Sequence, residues 1–229
     1  MITRRDLFVV PALALAIALC GCHKSRNVAH APARAPFPTV EIGLASWYGH
    51  PYHGRPAADG EIYDMEKMTA AHRTLPFNTW VRVTNLGNGR SVELRIIDRG
   101  PFVEGRVIDV SHAAAQQLDL IGPGVASVRV EVISAPAAAR ETPALYAVQV
   151  GSFMDRARAA RLASDLNVRY GGARIEPREG DHIGWRVLVG AESSMFAAEE
   201  LADSIQAGKN DCFVVRLDQP ASPAASSAY

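Results

Sequence analysis

WVRVTNLGNGRSVELRI, residues 80–96, contains two strand patterns and the turn that joins them. Apolar and polar residues alternate over 80–84 and again over 91–96, as they do in β-strands with one buried face. Asn88-Gly89 lies between the two patterns, and this dipeptide favours a tight β-hairpin. The sequence therefore predicts an antiparallel hairpin at the centre of a mainly β domain.

Further elements flank this hairpin. Residues 107–110 and 127–133 have the composition of strands, and Ser111 is placed to cap a short helix over 112–118. The pattern predicts a small β-barrel with one covering helix.

The second half of the chain follows an Ala- and Pro-rich break, predicted to be a linker over 134–143. It contains alternating strand and helix patterns, which are predicted over 145–150, 154–169, 185–189, 195–205 and 212–217. A strand that ends in Val-Gly is followed by a helix twice. Two related βα halves are therefore expected in an α+β domain.

The first 21 residues have the pattern of an export signal. Arginines at 4–5 precede an apolar run too short for a confident membrane span, and a lipobox pattern follows with Cys22 as the residue to be acylated. The Sec route and the twin-arginine route both remain open. Residues 22–42 are predicted to be the lipidated cysteine with a flexible tether, and 220–229 a disordered tail.

Charge and cysteine content limit the classes of partner. The chain has 24 Lys and Arg against 24 Asp and Glu, so no global field would attract a polyanion, and nucleic acid is not an expected partner. Cleavage of the signal and acylation of Cys22 would leave Cys212 as the remaining cysteine. It could then form no intramolecular disulfide, and a buried, inert thiol is expected beside the apolar residues 213–215.

Four short motifs in the first half bring together the groups needed for acid–base chemistry. They are GLASWYG at 43–49, DGEIYDM at 59–65, TAAH at 69–72 and DRGPF at 98–102. Carboxylates, a histidine and two aromatic residues, interleaved with the Gly and Pro of tight turns, are typical of a catalytic groove. A packed core would not need them.

Over residues 43–132 these motifs, in this order, closely resemble the rare lipoprotein A family, the septal-ring lytic transglycosylases of bacterial envelopes. The resemblance implies a six-stranded double-psi β-barrel over 43–133 and endolytic cleavage of peptidoglycan between N-acetylmuramic acid and N-acetylglucosamine. In that reaction the C6 hydroxyl of the sugar attacks C1 and leaves a 1,6-anhydro end. One carboxyl group can serve both proton transfers, unlike the two carboxylates of ordinary glycosidases.

Asp98 is the first candidate for that carboxyl group. It follows two isoleucines at a strand end and precedes a sharp Gly100-Pro101 turn, so a partly desolvated place at the barrel mouth would favour the protonated acid. The alternatives are that Asp98 caps the turn or pairs with Arg99, which would keep it ionised. The resemblance implies a catalytic Asp98, with Arg99 among the substrate-binding residues.

The resemblance also implies roles for three residues between the first and last motifs. Glu61 would be a second catalytic or substrate-orienting carboxylate, His72 would orient Asp98 or bind sugar hydroxyls, and Asp64 would contact substrate. From the residues alone, solvation is the default for the acids and a structural hydrogen bond is the default for the histidine. The charge of Asp59 is expected to raise the pKa of Glu61.

Trp47 and Tyr48 are predicted to stack on pyranose faces, with core packing as an almost equal alternative. No metal and no cofactor are expected, because the histidines at 50, 53 and 72 have no recognisable zinc-ligand spacing. A serine hydrolase is not supported either, because no Gly-x-Ser-x-Gly motif occurs.

Residues 146–153 and 185–187 resemble a SPOR domain. The resemblance implies an antiparallel sheet backed by helices over 144–219, which binds septal glycan strands stripped of peptides. The candidates for glycan contact are Gln149, Ser152, Trp185 and Arg186. Core filling is the alternative for the tryptophan, and surface charge is the alternative for the arginine.

Two functions are consistent with these patterns. The first is an outer-membrane lipoprotein facing the periplasm, anchored through Cys22 and enriched at the septum, that cleaves peptide-free glycan beside division-site proteins. The alternative is a non-catalytic, expansin-like wall-binding lipoprotein of the division site. The presence of Asp98, Glu61 and His72 together favours the enzyme.

Overall fold

The predicted hairpin forms part of a closed six-stranded barrel in the computed structural model. The structure describes residues 39–137, 144–177, 184–208 and 211–217. The barrel strands are β1 Val40–Tyr48, β2 Thr69–Ala71, β3 Trp80–Asn85, β4 Ser91–Asp98, β5 Arg106–Ser111 and β6 Val125–Ser134. The predicted export signal, Cys22 and the tail lie outside the described residues.

The strand pairing confirms the predicted barrel. The closed order is β1-β5-β2-β4-β3-β6. The β1–β5 and β2–β4 pairs are parallel, and the other pairs are antiparallel. Ala71 at the end of β2 pairs with Asp98 of β4 on one side and with Asp109 of β5 on the other. The candidate site lies where these residues meet.

Alternation along the strands produces the barrel interior. Val81, Val83 and Leu94 are fully buried, whereas Arg82 and Glu93 face solvent and pair at 2.7 Å. Each step along a strand moves the side chain to the opposite face, so the apolar residues fill the barrel while the charged residues remain outside.

The short helix α1, His112–Gln117, begins where the sequence predicted it. The Ser111 hydroxyl accepts the N–H of Ala114 at 3.3 Å, which is an ordinary N-cap bond. Leu118 is the C-cap, so the helix ends one residue before the predicted end.

Two barrel strands were not predicted. β1 begins at Val40, so residues 40–42, which the sequence assigned to the tether, belong to the barrel. β2 has three residues, and all three are buried. A strand that is buried throughout shows no alternation in its sequence.

The second domain is the predicted antiparallel sheet backed by helices. Its elements are β7 Leu145–Phe153, α2 Arg156–Tyr170, β8 Arg174–Pro177, β9 Trp185–Glu192, α3 Met195–Ala207 and β10 Phe213–Leu217. The sheet order is β10-β7-β9-β8. α2 begins two residues later than predicted because Asp155 caps it, accepting the N–H of Arg158 at 2.8 Å. No helix of the described residues is long and apolar enough to cross a membrane.

The two faces of this sheet have different neighbours. Val148 and Val187 are buried on the face that the helices cover. Leu188 and Val215 are buried on the opposite face, where Phe102 of the barrel packs against them. The barrel and the sheet therefore belong to one compact unit.

Cys212 is a free, buried cysteine, 3% exposed, as the sequence predicted. Its thiol donates to the carbonyl of Ala202 at 3.5 Å, and burial raises its pKa to about 11.

Gly43→Ala should destabilise the barrel, because a Cβ at this position would overlap the side chain of Val107 on β5. Overpacking of this kind costs about 1–3 kcal/mol. Urea unfolding should show a lower midpoint with an unchanged m-value. Gly122→Ala is the control, because a Cβ there meets no atom within 4 Å. An equal loss of stability in both variants would contradict the packing argument.

Candidate active site

Asp98 is the last residue of β4, and two backbone groups hold its carboxyl group. Oδ1 accepts the N–H of Arg99 at 2.8 Å and the N–H of Ala58 at 3.1 Å. On the parallel neighbour β2, its register partner is Ala71. These contacts fix the carboxyl group at the point where the strand ends.

Asp98 lies in the wall of a cavity of about 340 Å³, within the usual size of ligand sites, roughly 300–1,000 Å³. The residues lining the cavity are Tyr48, Tyr52, Arg55, Pro56, Ala58, Tyr63, Asp98, Arg99, Phe102, Gln149, Val150, Gly151, Ser152, Arg186, Asp211 and Phe213. Six residues singled out from the sequence are therefore brought together here: Tyr48, Asp98, Arg99, Gln149, Ser152 and Arg186. The other candidates among the described residues, Trp47, Glu61, Asp64, His72 and Trp185, do not line it.

An aromatic pair stands in the cavity wall with Asp98. The rings of Tyr48 and Tyr63 stack with centroids 4.3 Å apart, and the Tyr63 hydroxyl donates to the Tyr48 carbonyl at 2.6 Å. Burial raises the pKa of Tyr48 well above its usual value, and the charge of Asp98 raises it further. Tyr48 therefore keeps its proton. Trp47 instead packs against the barrel core, with its ring 5.5 Å from that of His112.

His72 is 2% exposed, and both of its ring nitrogens contact protein groups. Nδ1 accepts the N–H groups of Thr74 at 3.2 Å and Leu75 at 3.1 Å, so Nε2 carries the proton and donates to Glu41 at 3.0 Å. Burial lowers the pKa of His72, while the hydrogen bond to Glu41 opposes that shift. The connection to the site is through the backbone, because the His72 N–H donates to the Asp98 carbonyl at 3.0 Å.

Glu61 forms a bidentate ion pair with Arg95, with N–O distances of 2.8 and 2.6 Å. The hydrogen bonds from Arg95 lower the pKa of Glu61. The upward shift predicted from the charge of Asp59 was therefore wrong, because no local pattern indicates that an arginine of β4 would lie beside both acids. Asp59 is the carboxylate whose pKa is raised, chiefly by its burial.

Asp64 and Arg99 stabilise the loops in which they lie. The Asp64 carboxylate accepts the N–H of Glu66 at 3.0 Å. Arg99 donates from Nη1 to the carbonyl of His72 at 3.1 Å, and its guanidinium lies 3.7 Å from the centroid of the Phe77 ring. Among the described residues, no group of three or more His, Cys, Asp or Glu side chains is arranged to hold a metal ion.

The second domain contributes three of its four candidates to the cavity, namely Gln149, Ser152 and Arg186. Trp185 packs on the helix-covered side of the sheet, with the guanidinium of Arg156 5.1 Å from its ring centroid. Its position corresponds to the core-filling alternative.

Comparison with known proteins identifies both domains of the chain. Residues 40–130 match the family described as lytic transglycolase, and residues 142–216 match the SPOR domain. The endolytic peptidoglycan transglycosylase RlpA of Vibrio cholerae is 37% identical over 190 residues, which are 80% of this chain and 71% of that protein. The chain belongs to the RlpA family.

Other relatives match a smaller part of their length. The endolytic peptidoglycan transglycosylase RlpA of Campylobacter jejuni is 55% identical over 91 residues, which are 40% of this chain and 33% of that protein.

Among solved structures, the peptidoglycan-binding domain of the B. subtilis cell wall lytic enzyme CwlC is 28% identical with a TM-score of 0.30, over 34% of this chain and 94% of that domain.

This member of the RlpA family has a second, partly buried carboxylate beside the site, which the sequence analysis missed. Asp109 of β5 pairs with Ala71 on the side opposite to Asp98. It accepts the Ser46 hydroxyl at 2.5 Å and lies 3.7 Å from the Arg106 guanidinium, and burial raises its pKa. The signal in the sequence was an aspartate within the apolar run Val-Ile-Asp-Val of β5.

The free energy of unfolding should fall as the pH is lowered from 7 to 5. The pKa of His72 is lowered by burial, below its unfolded value of about 6.5. The contribution of the neutral His72 to the free energy of unfolding is therefore complete above about pH 6.5 and is lost as the pH falls towards the folded pKa. Burial alone would raise the pKa of Glu41, but the contact with His72 lowers it overall, so this group acts in the same direction at lower pH.

The check is urea unfolding of the wild type and of His72→Asn at several pH values. Asparagine retains an acceptor near the Nδ1 position but does not titrate, so the free energy of unfolding should depend less steeply on pH between 7 and 5. One titrating group changes that slope by at most about 1.4 kcal/mol per pH step of one. A variant as steep as the wild type would contradict this assignment.

Proposed function

We propose that this chain is an endolytic lytic transglycosylase that cleaves the bond between N-acetylmuramic acid and N-acetylglucosamine in peptide-free glycan strands. The observation that carries the proposal is the place of Asp98, whose carboxyl group two backbone N–H groups hold in the wall of the cavity. Membership of the RlpA family supports the reaction class.

Asp98 serves both proton transfers in this proposal. Its carboxyl proton passes to O4 of the departing N-acetylglucosamine as the bond from that oxygen to C1 breaks. The C6 hydroxyl of the N-acetylmuramic acid then bonds to C1, and its proton returns to the Asp98 carboxylate. The product carries a 1,6-anhydro ring, and the enzyme regains its starting protonation state without a water nucleophile or a cofactor.

Glu61 and His72 act on this reaction by positioning Asp98. The ion pair with Arg95 keeps Glu61 ionised, so it is unsuited to be the proton donor. Glu61 instead anchors the loop in which the Ala57 N–H donates to the Glu61 carbonyl at 2.7 Å. The next residue of that loop, Ala58, supplies an N–H to Asp98.

Tyr48 contributes to sugar binding. Its raised pKa keeps the phenol protonated at neutral pH, so it can donate a hydrogen bond to a sugar oxygen. The stacked rings of Tyr48 and Tyr63 offer the apolar surface on which a pyranose ring packs.

Asp98→Asn should abolish strand cleavage, with a loss of about 10²–10⁴-fold or more, because the amide cannot transfer the proton. The measurement is mass spectrometry of products from peptide-free glycan strands, with sedimentation to follow binding. Asp119→Asn is the matched control, an exposed aspartate whose positive φ asparagine tolerates. Full activity of Asp98→Asn would overturn the mechanism.

Binding without any anhydro-ended product from the wild type would support the alternative function, a wall-binding protein that holds glycan in the same cavity.

Glu61→Gln gives a graded readout. It weakens the ion pair with Arg95 but removes no proton donor, so it should lower kcat only partly.

We also propose that Cys22 carries the lipid anchor that holds the protein on the outer membrane facing the periplasm, and that the SPOR domain enriches it at the septum. The lipobox pattern supports the first point, and the SPOR match over 142–216 supports the second. Division-site proteins are candidate partners in that location.

A fluorescent fusion of the full chain separates these two contributions. The fusion should sediment with membranes and concentrate at division sites. Cys22→Ser should release it from the membrane pellet but leave its septal enrichment, because glycan binding does not need the anchor. A variant that remains in the pellet would refute lipidation at this cysteine, and a uniform distribution of the parent fusion would refute septal targeting.

A further inference from the structure

The cavity that contains Asp98 is shared almost equally by the two domains. Nine of its lining residues come from the barrel and seven from the second domain. Most of the second domain's share is the sheet face that its own helices leave uncovered; Asp211 adjoins that face, and Val150 packs on the helix-covered side. The candidate glycan-binding face and the candidate catalytic carboxylate are therefore opposite walls of one cavity.

An apolar contact beside the cavity holds the two walls together. The rings of Phe102 and Phe213 lie with centroids 6.1 Å apart, and the guanidinium of Arg73 lies 5.5 Å from the Phe213 ring centroid. The Arg216 N–H donates to the Arg73 carbonyl at 3.1 Å, which joins the backbone of β10 to the barrel. Aromatic contacts of this kind, combined with a backbone hydrogen bond, define how the sheet faces Asp98.

Each wall has a buried polar atom that makes no hydrogen bond to any described residue. One such atom on the barrel side is the hydroxyl oxygen of Tyr48, and on the sheet side it is Nε of Arg186. The Arg186 side chain is 16% exposed and pairs with Glu176 through Nη2 at 3.0 Å, so one part of its guanidinium is neutralised while Nε has no partner among the described residues. Buried polar groups are usually satisfied, and an unsatisfied pair across one cavity indicates a ligand rich in hydroxyl and carbonyl oxygens.

We infer that one glycan strand is held by both domains at once, with Gln149, Ser152 and Arg186 forming a subsite next to the bond that Asp98 cleaves. This rests on the proposed function and deepens it, because the second domain then belongs to the active site as well as binding the wall. The ligand is an amino-sugar oligosaccharide whose N-acetylmuramic acid units carry a free carboxylate once the peptides are removed. Its hydroxyl and acetamido oxygens accept hydrogen bonds from the arginine, and its ring faces pack on the tyrosines.

Substrate length distinguishes a shared subsite from two separate sites. A peptide-free tetrasaccharide can occupy a single cavity but is too short to bridge a distant binding face and a cleft. If the sheet forms a subsite, Arg186→Ala must weaken the binding of even this short substrate. If the sites are separate, the same variant weakens the binding of long strands but leaves the KM for the tetrasaccharide unchanged.

The experiment uses the full chain with Arg186→Ala and the matched control Arg158→Ala, an exposed arginine on α2. With the tetrasaccharide as substrate, KM should rise roughly tenfold while kcat changes less than about twofold, since a lost hydrogen bond to a charged group has about this effect. The control should match the wild type. Arg186→Ala leaves Glu176 paired with Arg174 at 2.8 Å, so the sheet edge stays neutralised.

A second measurement separates this inference from the proposed function. Calorimetry should give a Kd for the same tetrasaccharide that is roughly tenfold higher for Asp98→Asn with Arg186→Ala than for Asp98→Asn alone. This difference does not depend on whether the wild type cleaves. Ser152→Ala, a small change in the same wall, should give a loss in the same direction and stands in if Arg186→Ala melts early. Unchanged tetrasaccharide affinity in both wall variants would overturn the shared subsite.

Discussion

The candidate site depends on the hydrogen bonds that hold the carboxyl end of β4 against its neighbours. The Asp98 carbonyl accepts the N–H of His72, while its carboxyl group accepts N–H groups from Ala58 and Arg99. Backbone donors are rigid compared with side chains, so they hold the Asp98 carboxyl group in one position. His72 contacts Asp98 through its backbone N–H, and Glu61 lies in the loop that supplies the N–H of Ala58.

The parallel pairing of short strands makes this convergence possible. Ala71 of β2 lies between Asp98 of β4 and Asp109 of β5, so a three-residue strand separates two partly buried carboxylates. The turn after β4 leads directly to Phe102, which packs against the sheet of the second domain. The segment that follows β4 therefore connects the strand pairing of the barrel to the contact with the sheet of the second domain.

Local patterns predicted much of the fold. The hairpin of β3 and β4, the Ser111 cap of α1 and every element of the second domain except β8 follow from alternation, turn residues and capping. β2 could not be found in this way, because all its residues are buried and it is too short to show a period. The register that places Asp98 beside Ala71 depends on contacts distant in sequence.

The site was predictable in its residue types but not in its electrostatics. Family motifs identified Asp98 and Tyr48, which line the cavity. The pKa shift of Glu61 was predicted in the wrong direction because Arg95, 34 residues away, binds it in the fold. Asp109 was indicated only by its place within the apolar run of β5, and its contact with Ser46 becomes apparent only once β1 and β5 are paired. Charge effects follow three-dimensional neighbours, which a linear pattern does not contain.

The buried thiol of Cys212 has a consequence for the chemistry of the folded protein. Thiol–disulfide exchange proceeds through the thiolate. With a pKa of about 11, that form is on the order of one molecule in 10⁴ at pH 7. The side chain is also 3% exposed, so an oxidant has little access to it. A folded chain with this residue can remain reduced in an oxidising compartment for kinetic reasons, without a partner cysteine to protect it.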